Sequence, residues 1–384
     1  MKRYLKQAIT QDLPRKIILL SGPRQCGKTT LAKMLSNHFD YLNFDNPEHR
    51  LILQKRSWNR DKKLIIFDEL HKMKKWKSWI KGIYDTEGIP PSMIVTGSAR
   101  LDIHRKMGES LAGRFFPFRL HPLDLKEIIQ FNQTGNKSKI LRRLLECGGF
   151  PEPYLENDIR YYNRWKRTHL DIIVKQDITA IENIRDITSI ETLIQLLRNR
   201  VGSPVSYNSL ARDLQCSDHS VKRWITILEN MYLIFKVTPW HRNIARSLLK
   251  SPKYYFYDTG QVIGNDGIKL ENLTACALLK NCHYREDCLG ESFKLSYLQT
   301  KDGNEIDFHI TENGISRKMI EVKWSNSKPS PNFNYFTKYF PDSRKVQIVG
   351  ELNREETYPN GLKILKAENW LTDFNLAKQL PERD

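Results

Sequence analysis

The stretch Ser21-Gly22-Pro23-Arg24-Gln25-Cys26-Gly27-Lys28-Thr29-Thr30 constrains the fold of this chain more than any other. The run Lys16-Ile17-Ile18-Leu19-Leu20 before it is short and β-branched, as a buried strand requires, and Leu31 and Leu35 after it fall at helical spacing. Strand, glycine-rich turn and helix in that order make a phosphate-binding loop when the spacing is Gly-x4-Gly-Lys-Thr, here Gly22-x4-Gly27-Lys28-Thr29. The glycines let backbone N–H groups turn inward onto phosphate oxygens at the positive end of the next helix. Lys28 would reach the β and γ phosphates, and the Thr29 hydroxyl would ligate Mg2+. The residues predicted to cradle ATP are thus Gly22, Pro23, Arg24, Gln25, Cys26, Gly27, Lys28, Thr29 and Thr30. A merely structural turn could use the same glycines but has no need of the lysine–hydroxyl pair.

A second buried strand, Lys63-Leu64-Ile65-Ile66-Phe67, ends in the adjacent acids Asp68 and Glu69. Asp68 could hold Mg2+ through its water shell, and Glu69 could polarise the water that attacks the γ phosphate. Strands often end in acids, and the pair gains its meaning from the loop upstream. A third strand, Met93-Ile94-Val95-Thr96-Gly97-Ser98, ends in small polar groups at the edge where open α/β sheets bind ligands, which makes Thr96 or Ser98 a candidate γ-phosphate sensor. Tyr41–Asp45 reads as a further strand, and residues 76–85 as a helix with Trp76, Trp79, Ile80 and Ile83 on one face. Alternating strands and helices predict a parallel sheet. Arg114, after a glycine and before an apolar strand, is a candidate for the cation that stabilises the transferring phosphoryl group, within its own subunit or from a neighbour in an oligomer, against the alternative of a surface cation.

The series Gly-Pro-Arg-Gln-x-Gly-Lys-Thr-Thr-Leu (22–31), Leu-Asn-Phe-Asp-Asn-Pro-Glu (42–48), Phe-Asp-Glu-Leu-His-Lys (67–72), Thr-Gly-Ser (96–98), Leu-Ala-Gly-Arg (111–114) and His-Pro-Leu-Asp-Leu-Lys-Glu (121–127) resembles the AAA-type ATPases of bacteria and archaea that carry a C-terminal domain of unknown function. The resemblance continues through Gly148–Tyr154 and Tyr255–Gly260. It implies Mg-dependent ATP hydrolysis. Where the family usually reads Gly-Ser-Ser, Ala99 replaces the second hydroxyl, which weakens Ser98 as a sensor.

At 384 residues the chain is too long for one core, and several domains are expected. Sixty-two Lys and Arg against 44 Asp and Glu leave +18, a balance that favours DNA or RNA as partner, with a solvated basic surface as the alternative. No apolar stretch approaches a bilayer span, so no membrane partner and a cytoplasmic location are expected. The six cysteines have no CxxC pairs. Cys276, Cys282 and Cys288 beside His283 suggest a metal cluster less than they suggest buried apolar fillers.

The polar segment 131–140 reads as a linker after an ATPase domain at 1–130. A helical region is predicted over 141–260. Within it Tyr207–Leu214, a break at 215–217 and Asp218–Tyr232 read as a helix-turn-helix with Leu210, Leu214, Val221, Ile225 and Leu228 inside and Ser217 or Asp218 as N-cap. The strand Tyr232–Val237 would be its wing. Were this winged helix to bind DNA, His219, Ser220, Lys222 and Arg223 would face the groove; as a packing module it would not.

Residues 261–384 read as a small α/β region. A helix from Lys269, strands Ser292–Thr300, Glu305–Ile310 and Met319–Trp324, and the acids Asp307 and Glu321 with Lys323 have the form of a PD-(D/E)XK nuclease core. Asp307 and Glu321, joined by Glu271, would hold a second Mg2+, and Lys323, on the face of Glu321, would stabilise the reacting water or phosphate. Alternating Glu and Lys also occur on strands for solubility alone; the resemblance implies a restriction-endonuclease-like fold there. The expected protein is therefore an α/β ATPase coupled to a nucleic-acid transaction, with two alternatives: an ATP-gated interaction module carrying an inert nuclease-like region, or an ATP-regulated Mg-dependent nuclease.

Overall fold

The computed structural model describes residues 3–98, 111, 113–131, 135–178, 187–241, 251–325 and 328–374. The chain divides into two units, one of residues 1–122 with 230–232 and 287–289, the other of the remainder.

The first unit is a parallel five-stranded sheet, the expected α/β arrangement. Its strands are β1 (Ile17–Ser21), β2 (Phe39–Asn43), β3 (Leu64–Asp68), β4 (Ser92–Gly97) and β5 (Phe115–Arg119), in the order β2-β3-β4-β1-β5. Strands β1 and β3 are buried at every position, which explains their unbroken apolar runs. The helix Trp76–Glu87 lays Trp76, Ile80 and Ile83 on the sheet, and Trp58, Phe67 and Trp79 meet edge to face with centroids 5.6–5.7 Å apart. Since β4 lies between the loop-bearing strand and the acid-bearing strand, all three bring their carboxyl ends to one edge of the sheet.

The two compact units part near residue 122, ahead of the predicted boundary at 130. Leu125–Phe131 is a helix of the second unit, where the buried Lys280 reaches Glu127 at 2.5 Å and Asp124 at 2.9 Å. Another helix begins at Lys137, capped by the Asn136 side chain, which accepts from Lys139 N at 3.1 Å.

Helices follow at Pro151–Glu156, Ile159–Ile172, Ile187–Arg198, Tyr207–Asp213 and Asp218–Asn230. In the last pair Leu210, Val221, Ile225 and Leu228 are buried as the spacing demands, and Ser217 Oγ accepts from Ser220 N at 3.0 Å. The strand after it, predicted as a wing, belongs to a larger sheet. It is β6 (Ile234–Pro239), antiparallel to β7 (Lys253–Phe256) and joined through Thr238 and Pro239 to β8 (Phe293–Gln299). With β9 (Glu305–Glu312), β10 (Ile315–Lys323), β11 (Arg344–Val349), β12 (Glu356–Thr357) and β13 (Leu362–Lys366) they form an eight-stranded sheet, β12-β13-β11-β10-β9-β8-β6-β7. The predicted division at 260/261 thus falls within one sheet, beside the long helix Asp266–Leu289. Among the described residues no helix is long and apolar enough to cross a membrane.

Candidate functional site

The loop after β1 has the backbone its composition predicts. Gly22 approaches the Leu120 carbonyl so closely that a Cβ would lie 2.2 Å from the oxygen, and Gly27 adopts φ 95° at the start of the helix Lys28–Lys33. The Lys28 ammonium is buried and turned back onto the loop, donating to Gly22 O at 2.9 Å and Pro23 O at 2.6 Å. Those carbonyls hold the amine over the cradle in which a phosphate would compete for it. Arg3, from the N-terminal segment, is 7 % exposed and donates to Cys26 O at 2.7 Å and His121 O at 2.5 Å, bracing the loop from behind. Sequence reading missed Arg3 because nothing local distinguishes a structural arginine from a basic tail.

Asp68 closes the site from β3. Its Oδ2 accepts from the Thr29 hydroxyl at 3.0 Å and from the Tyr41 hydroxyl at 2.6 Å, and its Oδ1 accepts from Thr96 Oγ. Thr96 thus contacts the acid, and its register opposite Asp68 on the neighbouring strand dictates the contact. Tyr41 was read only as part of a strand. Its hydroxyl is also approached by Asn43 Nδ2 at 3.3 Å, and the Lys33 ammonium lies 4.0 Å from the ring centroid. The oxygen donors Thr29 and Asp68 suit a hard cation such as Mg2+ arriving with a triphosphate.

Glu69 follows in a left-handed conformation, φ 55°, an uncommon backbone for a side chain of this kind and one found at functional sites. Burial pushes its carboxyl above the usual range, opposed by the Lys28 and Lys72 charges. Ser98 Oγ lies 3.4 Å from Glu69 Oε2, and Lys72 bridges from Asp45 (2.6 Å) toward Glu69 (3.9 Å). His71 Nδ1 is 3.7 Å from the same oxygen, but burial drops the imidazole to about 4, so at neutral pH this contact is not an ion pair. Ala99 lies outside the described residues.

Arg114 is placed elsewhere. It precedes β5 at the end where β1 begins, its backbone oxygen accepting from Ile17 N, and its guanidinium holds Asp85 at 2.5 Å. The loop leaves β1 at the opposite end, roughly 15 Å away along a five-residue strand. A role within its own subunit is therefore withdrawn. Only a site on a neighbouring chain remains open to it.

In the second unit the three predicted acids do converge. Asp307 on β9, Glu321 on β10 and Glu271 on the long helix are each pushed above the usual carboxylate range, by burial first; the Asp307 charge adds to the shift on Glu271 and Glu321. Two ammonium groups stand among them. Lys323 Nζ is 2.8 Å from Glu321 Oε1; Lys253, from β7 and 0 % exposed, lies 3.7 Å from Glu271 Oε1 and pairs with Glu305. Asp307 Oδ2 accepts from Val322 N at 2.7 Å. As placed, these residues do not fit a divalent cation: among the described residues no group of three or more His, Cys, Asp or Glu is arranged to hold one. Lys253 was missed because its neighbours Glu271, Glu305 and Asp307 are distant in sequence. Lys222 pairs with Asp218 at 2.9 Å, four residues back on its own helix, and Lys222 and Arg223 are both exposed.

Comparison with known proteins agrees with the first unit. Residues 14–129 match the family model of an AAA domain, and residues 138–269 match a Domain of unknown function (DUF8612). An uncharacterized protein of Haemophilus influenzae is 23% identical over 421 residues, covering 96% of this chain and 98% of its own length. The uncharacterized protein MJ1544 of Methanocaldococcus jannaschii is 25% identical, with 81% and 75% covered. The uncharacterized protein Rv2008c of Mycobacterium tuberculosis is 26% identical over 248 residues, covering 64% of this chain and 54% of its own length. Among solved structures, a signal transduction ATPase with numerous domains and a tetratricopeptide repeat sensor, from Pyrococcus horikoshii, is similar at 11% identity over 76% of this chain and 48% of that one. Its TM-score of 0.24 is too low to bear on the fold. The match at residues 14–129 is thus to an AAA domain, over the part of the chain that carries the phosphate-binding loop.

Proposed function

We propose that the chain binds Mg-ATP in the loop Gly22–Thr30 and hydrolyses it with Glu69 as the base. The observation that carries this reading is the arrangement at Asp68, whose carboxylate collects the Thr29, Tyr41 and Thr96 hydroxyls at the mouth of the loop, with Glu69 next in the chain. Thr29 and Asp68 would hold Mg2+, which neutralises charge across the β and γ phosphates. Lys28 exchanges two backbone carbonyls for phosphate oxygens. Glu69, raised by burial, accepts the proton of the attacking water, and Ser98, beside it, orients the carboxylate.

Glu69→Gln is expected to keep ATP binding while phosphate release falls on the order of 10^2- to 10^4-fold, the span of a lost general base. Lys28→Ala is expected to lose binding itself. Wild-type turnover in Lys28→Ala would end this reading.

Coupling to nucleic acid is supported by the +18 charge and by the exposed Lys222 and Arg223 at the start of the helix Asp218–Asn230, in a winged-helix-like setting. ATP turnover measured with and without DNA or RNA tests it; stimulation is expected, and its absence would argue against coupling. A second reading, favoured by the lysines among the C-terminal acids, makes residues 261–384 a nuclease-like but catalytically inert part of an ATP-gated interaction module.

A further inference from the structure

The C-terminal acid cluster contains its own cations, and one of them is hidden. Lys253 opens β7 with its side chain wholly inside the protein; the ammonium contacts Glu305, lies 3.7 Å from Glu271 Oε1 and stands 5.2 Å from the centroid of the Tyr297 ring. Two residues along the strand, on the same face, Tyr255 donates its hydroxyl to that Glu271 oxygen at 2.7 Å. Glu271 Oε1 is thereby bracketed by an ammonium and a phenol, the kind of donors that satisfy a buried carboxylate without a metal ion. At the other side Lys323 and Ser330 take Glu321 Oε1, at 2.8 and 3.4 Å, and the Val322 amide takes Asp307 Oδ2. One acceptor is left over. Glu321 Oε2 is buried and has no hydrogen-bond partner, on a residue only 3 % exposed.

We propose that Lys253 is a built-in cation standing in for a divalent metal ion beside Glu271 and Glu305, so that the folded chain keeps Mg2+ and Mn2+ out of the acid cluster to which Asp307 also belongs. The inference rests on the second reading of residues 261–384 and is independent of the ATP site. The Lys253 ammonium is met by two carboxylates, contacting Glu305 and lying 3.7 Å from Glu271 Oε1. A covalently tethered ammonium loses no translational freedom when it occupies the site, whereas an incoming ion must first expel it from a dry interior.

Mn2+ binding to the full-length, nucleotide-free protein, followed by the electron paramagnetic resonance of free Mn2+, tests this. Wild type and Asp307→Asn are expected to bind the same number of ions, Lys253→Met one more per chain, and Lys253→Met/Asp307→Asn to lose that extra ion again. Any Mn2+ bound at the ATP site is common to all four. One fewer ion in Asp307→Asn than in wild type would overturn the inference, and that comparison does not depend on Lys253→Met folding. No gain in a Lys253→Met protein that keeps its melting transition would overturn it as well. DNA is added to the same samples: cleavage that vanishes in Asp307→Ala would sink the inert reading, whereas Asp307-dependent Mn2+ binding without cleavage would sink the lysine alone.

Discussion

Asp68 and Asp307 both stand on buried strands with a second acid and a lysine close by, yet the two units surround them differently. Asp68 is met by hydroxyls from Thr29, Tyr41 and Thr96, neutral donors that leave its charge available to a cation. Asp307 sits among three other carboxylates, Glu271, Glu305 and Glu321, and two ammonium groups, Lys253 and Lys323. Paired acids on neighbouring elements are therefore not enough to make a metal centre. Hydroxyls yield to a hard cation at the cost of a few hydrogen bonds, whereas a buried ammonium yields only if it can go elsewhere.

The contrast can be broken most forcefully at Lys253. Lys253→Met leaves the carboxylates around it uncompensated, and the second unit is expected to lose about 3 kcal/mol, the low end for breaking a buried ion pair. Denaturant unfolding of the full chain measures it. Lys323, whose side chain is 38% exposed, should cost far less when changed to Met, and equal losses would mean that burial does not separate the two lysines.

The next effect belongs to the first unit. Tyr41→Phe removes the 2.6 Å hydrogen bond to Asp68 and keeps the ring. A bond to a charged group is worth roughly 1.5 kcal/mol or more, so ATP turnover should fall about tenfold with melting temperature nearly unchanged. Unaltered turnover would mean that Thr29 and Thr96 hold Asp68 without help.

The smallest effect is one of pH. Lys72 draws the Glu69 carboxyl down against the upward push of burial, so Lys72→Met should raise it further. A base must be ionised to act; the acid limb of the turnover profile should therefore move to higher pH, by less than about one unit for a partly exposed charge near 4 Å. A shift to lower pH would show that some other group sets that limb.

Much of the first unit was legible because its chemistry is written in contiguous residues. The spacing of Gly22, Gly27, Lys28 and Thr29 specifies a backbone path, and the apolar runs at 17–20 and 64–67 specify two buried strands. Thr96 was a candidate alongside Ser98 because sequence shows only that a hydroxyl ends a strand; that the hydroxyl meets Asp68 follows from the register of β3 on β4. Arg114 lies away from the loop of its own chain for a related reason. Its distance from the loop is fixed by which end of β5 it occupies, and the parallel pairing of β5 with β1 decides that. In the second unit the acids 271, 307 and 321 come from a helix and two strands, and the strand predicted as a wing pairs into the large sheet, an arrangement fixed by pairing that sequence spacing does not show.

By itself, then, the sequence determined a phosphate-binding loop, an acid pair behind it and a parallel sheet to carry both, because local spacing governs turns, and burial governs strand composition. Only the tertiary structure decided which groups face each acid. The hydroxyls at Asp68 and the Lys253 ammonium beside Glu271 come from other elements of the chain, and electrostatic compensation depends on distance through space, to which spacing along the chain is blind.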